Sequence, residues 1–298
     1  MARIAIVGVG AIGGVTAALL QQAGGHELLL CTRKPMSGLS VETPDGVVTV
    51  HAKFVTDPCE AFEVDWVLVA TKAYDVAGAA KWLDKLCSKG APVAVLQNGV
   101  EHRERFAPYV ALENILPVMV DCPAERQTLD KIRQRGVMHL KVPDSGLGRE
   151  FVEMFSGTPA DATVVPDFVS VVWRKLCFNS AGVLSALVLQ PAGVVRDERM
   201  SEVALQIIRE CAAVARAEGA HLEENVPDLV LAAQRAAPAD SINSMLADRQ
   251  VGRPVEIDAR NGVIVRLGRK HGIATPMNSM AVALMETMTG KRLAVDQI

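Results

Sequence analysis

Gly8, Gly10 and Gly13 stand at G-x-G-x-x-G spacing directly behind residues 3–7 (RIAIV), a short apolar run rich in β-branched side chains. A run of that length suits a strand buried on both faces. The first glycine permits a tight turn, the second lets backbone approach a pyrophosphate, and the third lets the next helix pack closely on the strand. That helix is expected over residues 11–23, with Gly24 and Gly25 stopping it. Its amino end carries unpaired N–H groups and the positive end of the dipole, which suits a diphosphate. Residues 26–32 (HELLLCT) read as a second buried strand, and Arg33 and Lys34 follow at the ribose-reading position. An acidic residue there would bond the ribose 2′-OH of NAD, whereas a guanidinium beside a lysine grips a 2′-phosphate. The pattern therefore favours NADP. The competing reading, a secretory leader, is opposed by the glycines at 8, 10, 13 and 14, which break the apolar run.

Composition narrows the rest. A chain of 298 residues is long for one domain and comfortable for two. Half of it is hydrophobic, yet no long apolar run escapes a glycine, proline or polar residue, so no membrane span is expected and a soluble, cytoplasmic protein is. A net charge of −3 provides no basic field for nucleic acid, which leaves small molecules as the expected partners. The cysteines (Cys31, Cys59, Cys87, Cys122, Cys177, Cys211) are scattered without C-x-x-C, and the histidines form no H-E-x-x-H, so most cysteines are expected to be reduced core residues and no metal site is expected. His139 and His271 are read as structural or exposed.

Along the chain, residues 39–43 and 47–50 resemble a hairpin around Pro44, Asp45 and Gly46, with no room for a crossover helix before it. Residues 64–71 (VDWVLVAT) and 92–96 are further buried strands, ending at Lys72 and at Gln97, Asn98 and Gly99. In a doubly wound sheet, ligands gather at such carboxyl ends, which makes Lys72 a phosphate or substrate contact and Asn98 an amide clamp. Residues 124–135 read as a hairpin or loop finishing the sheet. Helical patterns then take over at residues 168–187, 197–217, 256–271 and 278–289. In the second, Met200, Val203, Ile207, Cys211 and Val214 step by three and four, with Gly219 as a stop. The expected fold is thus a Rossmann-type α/β domain over residues 1–166 followed by an all-helical domain over residues 167–298.

Lys175 and Asn179 are spaced i, i+4 and so share a helix face, an arrangement that a salt-bridged surface pair would also produce. Glu256 and Asp258 flank Ile257 near a helix start, where the dipole alone favours acids. The whole set, V-G-V-G-A-I-G-G with Arg33, A-T-K-A-Y-D around Lys72, Q-N-G at Asn98, W-R-K-L-C-F-N at Lys175 and Asn179, S-M-L-A-D at Ser244 and P-V-E-I-D-A-R-N-G at Glu256, resembles the ketopantoate reductase family in order and spacing over nearly the full chain. The resemblance implies NADPH-dependent reduction of a 2-oxo acid in a cleft between the domains, and a place in pantothenate biosynthesis. By resemblance, Lys175 donates the proton to the carbonyl oxygen and Glu256 orients it near the nicotinamide, making these two the catalytic pair. Gly8, Gly10, Ala11, Ile12, Gly13, Arg33, Lys72, Asn98 and Glu256 would hold the cofactor, and Asn98, Lys175, Asn179 and Ser244 the substrate.

The sequence departs from the family pattern one turn beyond Asn179. There Val183 stands where the family carries a second asparagine, and the asparagine-bearing loop that follows reads Gln190, Pro191, Ala192, Gly193. At i, i+4 and i+8, Lys175, Asn179 and Val183 are expected to share one face, so Val183 would make the far end of the pocket apolar and favour a less hydroxylated 2-oxo acid. A non-catalytic NADP-binding regulator on the same fold is the alternative from another functional class. The apolar surface of the helical domain leaves its assembly open, a homodimer included.

Overall fold

The structure, a computed structural model, describes residues 2–290. The chain divides into two compact units, Met1–Phe168 and Val169–Ile298. The first unit contains β1 (Ala2–Val7), α1 (Ala11–Ala23), β2 (His26–Cys31), β3 (Leu39–Thr43), β4 (Gly46–Val50), β5 (Lys53–Val55), β6 (Trp66–Val69), α2 (Val76–Leu86), β7 (Val93–Val95), α3 (His102–Phe106) and β8 (Ile115–Pro117). It continues through β9 (Met119–Asp121), β10 (Ala124–Arg126), β11 (Lys131–Gln134), β12 (His139–Pro143), α4 (Gly146–Glu153) and β13 (Asp161–Val165).

Six strands form a wholly parallel sheet in the order β5-β2-β1-β6-β7-β8. Its strands are apolar at successive positions because both faces are covered. Ile4, Ile6, Leu28, Leu30 and Leu68 point to one side, and Ala5, Val7, Leu29, Val67, Val69 and Val95 to the other. On the second side they meet Trp82, Leu83 and Leu86 of α2, together with Phe106. On the first side they meet α1, which is buried without a break from Gly13 to Leu20. A helix apolar all round needs a second cover. A four-stranded sheet of order β10-β11-β3-β4 supplies it, with Leu39, Val41 and Ile132 packed into the same core. The β3–β4 hairpin and the β10–β11 hairpin thus do not finish the main sheet but build this second layer. Gly14 gives room for the Ile132 side chain there, since a Cβ would lie 2.0 Å from Ile132 Cδ1.

A three-stranded sheet, β13-β12-β9, and α4 complete the unit; β9 and β12 fall in apolar segments on either side of residues 124–135, whereas β13 and α4 have no counterpart among the expected elements. Phe151 of α4 stacks obliquely between Trp66 and Phe155, with centroids 6.2 Å and 5.2 Å away. The signal was weak because β9, β12 and β13 run for only three to five residues, which leaves alternation little length in which to show.

Among the described residues the second unit is built of helices: α5 (Phe168–Ala181), α6 (Val183–Val188), α7 (Glu198–Ala217), α8 (Val226–Ala236), α9 (Ser244–Gln250), α10 (Val263–Lys270) and α11 (Pro276–Thr289). Helices α8 and α9 lie outside the expected periodic stretches. Together α5 and α6 are long and apolar enough to cross a membrane by length and composition, and more than half of an 18-residue window within them is buried inside the protein, as in a core helix. Helix α7 starts at Asp197, whose carboxylate accepts from Met200 N–H at 3.1 Å, and stops before Gly219 at φ +89°. Its core face is centred on Ala204, Ile208, Cys211 and Ala215, which leaves Met200 and Val203 half-buried at its margin.

Two expected helices are interrupted. The 168–187 stretch is pinched at Gly182, whose N–H bonds back to Asn179 C=O at 3.2 Å. The 256–271 stretch opens with a π turn over Asp258–Gly262 before α10 begins. Both interruptions lie at the candidate site.

Candidate active site

The first unit's candidate site is built around backbone. The parallel strands bring residues 8–10, 32–34, 70–75 and 96–99 to one edge of the sheet. Because β2 lies on one side of β1 and β6 on the other, the strand order reverses there, and a crevice opens at the switch point. Gly8, at φ +97°, donates its N–H to Cys31 C=O at 3.1 Å, and a Cβ on it would stand 2.7 Å from Thr71 N. A Cβ on Gly13 would meet Gly8 O at 2.1 Å. These two glycines hold the loop down on its neighbours.

Gly10 differs: a Cβ there would meet nothing within 4 Å. It precedes α1 in an extended conformation, no side chain caps the helix, and no acidic residue occupies its first turn, which begins with Ala11 and Ile12. The open space above Gly10 and the N–H groups beneath it fit a diphosphate.

The Arg33 side chain is 88% exposed and lies 3.7 Å from Asp75 Oδ2. Such an ion pair is weak and exchanges readily for a phosphate. Lys72 and Asn98 are half-buried on neighbouring loops. Gln97 joins those loops, donating through Nε2 to Thr71 Oγ1 at 2.9 Å and to Lys72 C=O at 3.3 Å, while buried His102 meets Gln97 C=O at 2.8 Å. His102 was not singled out in the sequence, and Gln97 was named there only as part of the Q-N-G run, without a role. The Q-N-G run at a strand end was the available signal, but it does not say which of its amides faces inward.

The second unit's candidate site is made of side chains. Lys175 and Asn179 are half-buried on α5. The pinch at Gly182 turns its carbonyl outward to accept Asn243 Nδ2–H at 3.0 Å. Asn243 Oδ1 in turn accepts from Met245 and Leu246 N–H at 3.0 and 2.9 Å, capping α9. The next residue is Ser244, exposed at the start of α9, and Arg260 Nη2 donates to its Oγ at 2.7 Å. Asn261 on the same π turn donates to Ser180 C=O at 3.1 Å and to Asn278 Oδ1 at 2.9 Å. One turn of backbone therefore ties Ser244 of α9 to the residue beside Asn179 of α5. π turns of this kind cluster at functional sites.

The interior of this cluster is charged. Arg260 is 4% exposed, Asp248 4% and Glu256 5%. Burial pushes the Arg260 guanidinium below its usual value, and the carboxylates of Glu256 and Asp248 oppose that shift. Arg253 Nε shares Asp248 at 2.9 Å, and Arg266 pairs with Asp258. Val183 has 0% exposure, unlike Lys175 and Asn179. It lies past the pinch, where the helical phase no longer follows an unbroken i, i+4, i+8 ladder.

The sequence matches two adjoining family models, ketopantoate reductase PanE/ApbA over residues 4–146 and its C-terminal counterpart over residues 167–289. A 2-dehydropantoate 2-reductase of Caulobacter vibrioides is 47% identical over 285 residues, 96% of this chain and 98% of that protein. The chain belongs to the ketopantoate reductase family. A second relative, the 2-dehydropantoate 2-reductase of Mycobacterium tuberculosis, is 40% identical over 95% of this chain and 96% of its own. Among solved structures, a 2-dehydropantoate 2-reductase from Geobacter metallireducens superposes with a TM-score of 0.89 at 28% identity, covering 96% of this chain and all of that one. Family membership accounts for the order of the motifs, not for Arg260, whose burial no sequence pattern announces.

The thiols stand apart from this chemistry. All six cysteines are free, with Cys31, Cys177 and Cys211 buried, Cys87 and Cys122 half-buried and Cys59 exposed. Burial pushes Cys31 up to about 12 and Cys87 up to about 11, which keeps both protonated and unreactive. His139 Nδ1 is hydrogen-bonded to Asp161 at 2.7 Å, and His271 Nε2 to Glu218.

Proposed function

We propose that this protein reduces 2-dehydropantoate to pantoate with NADPH, in the cytoplasm, as a step of pantothenate biosynthesis. Its class, an oxidoreductase using a pyridine nucleotide, follows from its family. The reading is supported above all by similarity to 2-dehydropantoate 2-reductases running through both units. In this reading Gly8, Gly10, Ala11, Ile12 and Gly13 bind the diphosphate, Arg33 holds the 2′-phosphate, and Lys72, Asn98 and Glu256 complete the cofactor contacts. When bound, the dihydronicotinamide supplies the hydride. Lys175 then gives a proton from Nζ to the substrate carbonyl oxygen, which would otherwise develop as an uncompensated alkoxide. Glu256 orients Lys175, while Asn98, Asn179 and Ser244 position the 2-oxo acid. The full burial of Val183 supports a packing role rather than a contact with substrate.

Oxidation of NADPH in the presence of 2-dehydropantoate and a panel of other 2-oxo acids tests the reaction. Turnover of 2-dehydropantoate is expected, and turnover of none would overturn the proposal. For the cofactor, Arg33→Asp replaces a phosphate clamp by a repelling carboxylate, so NADPH affinity is expected to fall far more than NADH affinity. Equal losses would remove Arg33 from phosphate reading. Met280, Leu284 and Met288, exposed at i, i+4 and i+8 on α11, support a homodimer, which sedimentation tests.

A further inference from the structure

The buried guanidinium of Arg260 has a route to the surface through a hydroxyl. A guanidinium can only donate, so in the 2.7 Å contact Ser244 Oγ is the acceptor. That leaves the hydroxyl's own hydrogen to point away from Arg260, and Ser244 is exposed. A hydroxyl that accepts from a cation becomes a stronger donor in turn. Glu256 and Asp248 hold the positive charge in the interior, and Asp248 is shared with Arg253. Arg260 Nε has no hydrogen-bond partner among the described residues, so internal pairing does not exhaust the guanidinium.

We propose that Arg260 is a positioning residue for the substrate carboxylate: from inside the helical unit it fixes Ser244 as a charge-backed donor to the acid group of the 2-oxo acid. The inference rests on the proposed function in taking Ser244 as a substrate contact. It assigns to Arg260 a discrimination between an acid and its uncharged analogue that a serine hydroxyl alone lacks, since a neutral donor gains less from a carboxylate.

The test is a double-mutant cycle of Ser244→Ala and Arg260→Met, read out as calorimetric affinity for pantoate and for its carboxamide in the presence of NADP, and as KM and kcat for 2-dehydropantoate. Each single variant is expected to weaken pantoate binding about ten- to a hundred-fold, the range of a hydrogen bond to a charged group, and to narrow its preference over the amide. The double variant should be no worse than Ser244→Ala, with kcat changed less than KM and NADPH affinity retained. Arg260→Lys should restore part of the preference. Should Arg260→Met fail to fold, Arg260→Gln, which keeps bulk and polarity but removes the charge, takes its place in the cycle. Independent, additive losses in the two variants, or an unchanged acid-to-amide preference, would overturn the proposal. A wild type that turns over no 2-oxo acid overturns the proposed function but leaves the binding cycle to judge Arg260, and a wild type that binds no carboxylate overturns both.

Discussion

In the proposed reading, the glycine loop at the end of β1 and the charged cluster around the π turn would each hold an anionic group, by opposite means. The loop does it with main chain: Gly8 and Gly13 are pinned by contacts that no Cβ can enter, and Gly10 leaves space for a ligand. The cluster does it with side chains, burying Arg260, Glu256 and Asp248 and exposing Ser244. A backbone site tolerates little change at a few positions and is indifferent to most others. A side-chain site depends on every member, because removing one leaves a buried charge or donor unmatched.

The largest effect that would break this contrast lies at Lys175. Lys175→Ala is expected to lower kcat by about two to four orders of magnitude, the usual contribution of a general acid, with NADPH affinity retained. A near-normal rate in steady-state assays would take the proton transfer away from the helical unit. Two glycine variants then sharpen the account of the loop. Gly13→Ala forces a methyl to within 2.1 Å of Gly8 O and should cost about 3 kcal/mol or more in chemical denaturation. Gly10→Ala, with nothing within 4 Å, should leave stability unchanged and weaken NADPH binding. Equal loss of stability in both would show that Gly10 is structural and that the open space is not a ligand's.

Val183 tests the side-chain half of the comparison. Its burial moves the expected consequence of Val183→Asn from substrate choice to stability, about 1–3 kcal/mol for an amide placed without partners. A gain in preference for 2-dehydropantoate over a 2-oxo acid lacking the hydroxyl, without loss of stability, would instead place Val183 in the pocket.

The smallest effect concerns the link between α7 and α10, where Glu218 accepts from Lys270 Nζ at 2.8 Å and from His271. Partial burial works to raise this carboxyl, and the two basic partners together outweigh it and hold it below the ordinary glutamate range. A depressed folded-state value stabilises the protein above the unfolded glutamate pKa and is lost as pH falls through the folded one. Glu218→Gln should therefore be slightly less stable than wild type at neutral pH, with the gap closing in acid. A gap independent of pH would show that the contribution is not ionic.

Much of the first unit was legible in the chain itself. Spacing of the glycines, strand periodicity and the placement of Arg33, Lys72 and Asn98 at strand ends all depend on local backbone rules, so β1, α1, β2, β6 and β7 and the edge they share could be read in order. What could not be read was the second layer over α1. Gly14 and Ile132 meet there, and nothing local marks residues so far apart in sequence as partners.

In the helical unit, residue types by themselves specified apolar helices and the i, i+4 pairing of Lys175 with Asn179, and little more. The pinch at Gly182, the cap at Asn243 and the π turn that presents Arg260 to Ser244 came from long-range hydrogen bonds between α5, α9 and the segment before α10. An arginine at a helix start is ordinarily solvated, so its sequence position says nothing of burial. Its position in the fold does, because only there do Glu256 and Asp248 bring enough opposite charge to keep it inside. Local propensity set the elements, and the long-range hydrogen bonds open to buried polar groups decided where they break and which side chains the site presents.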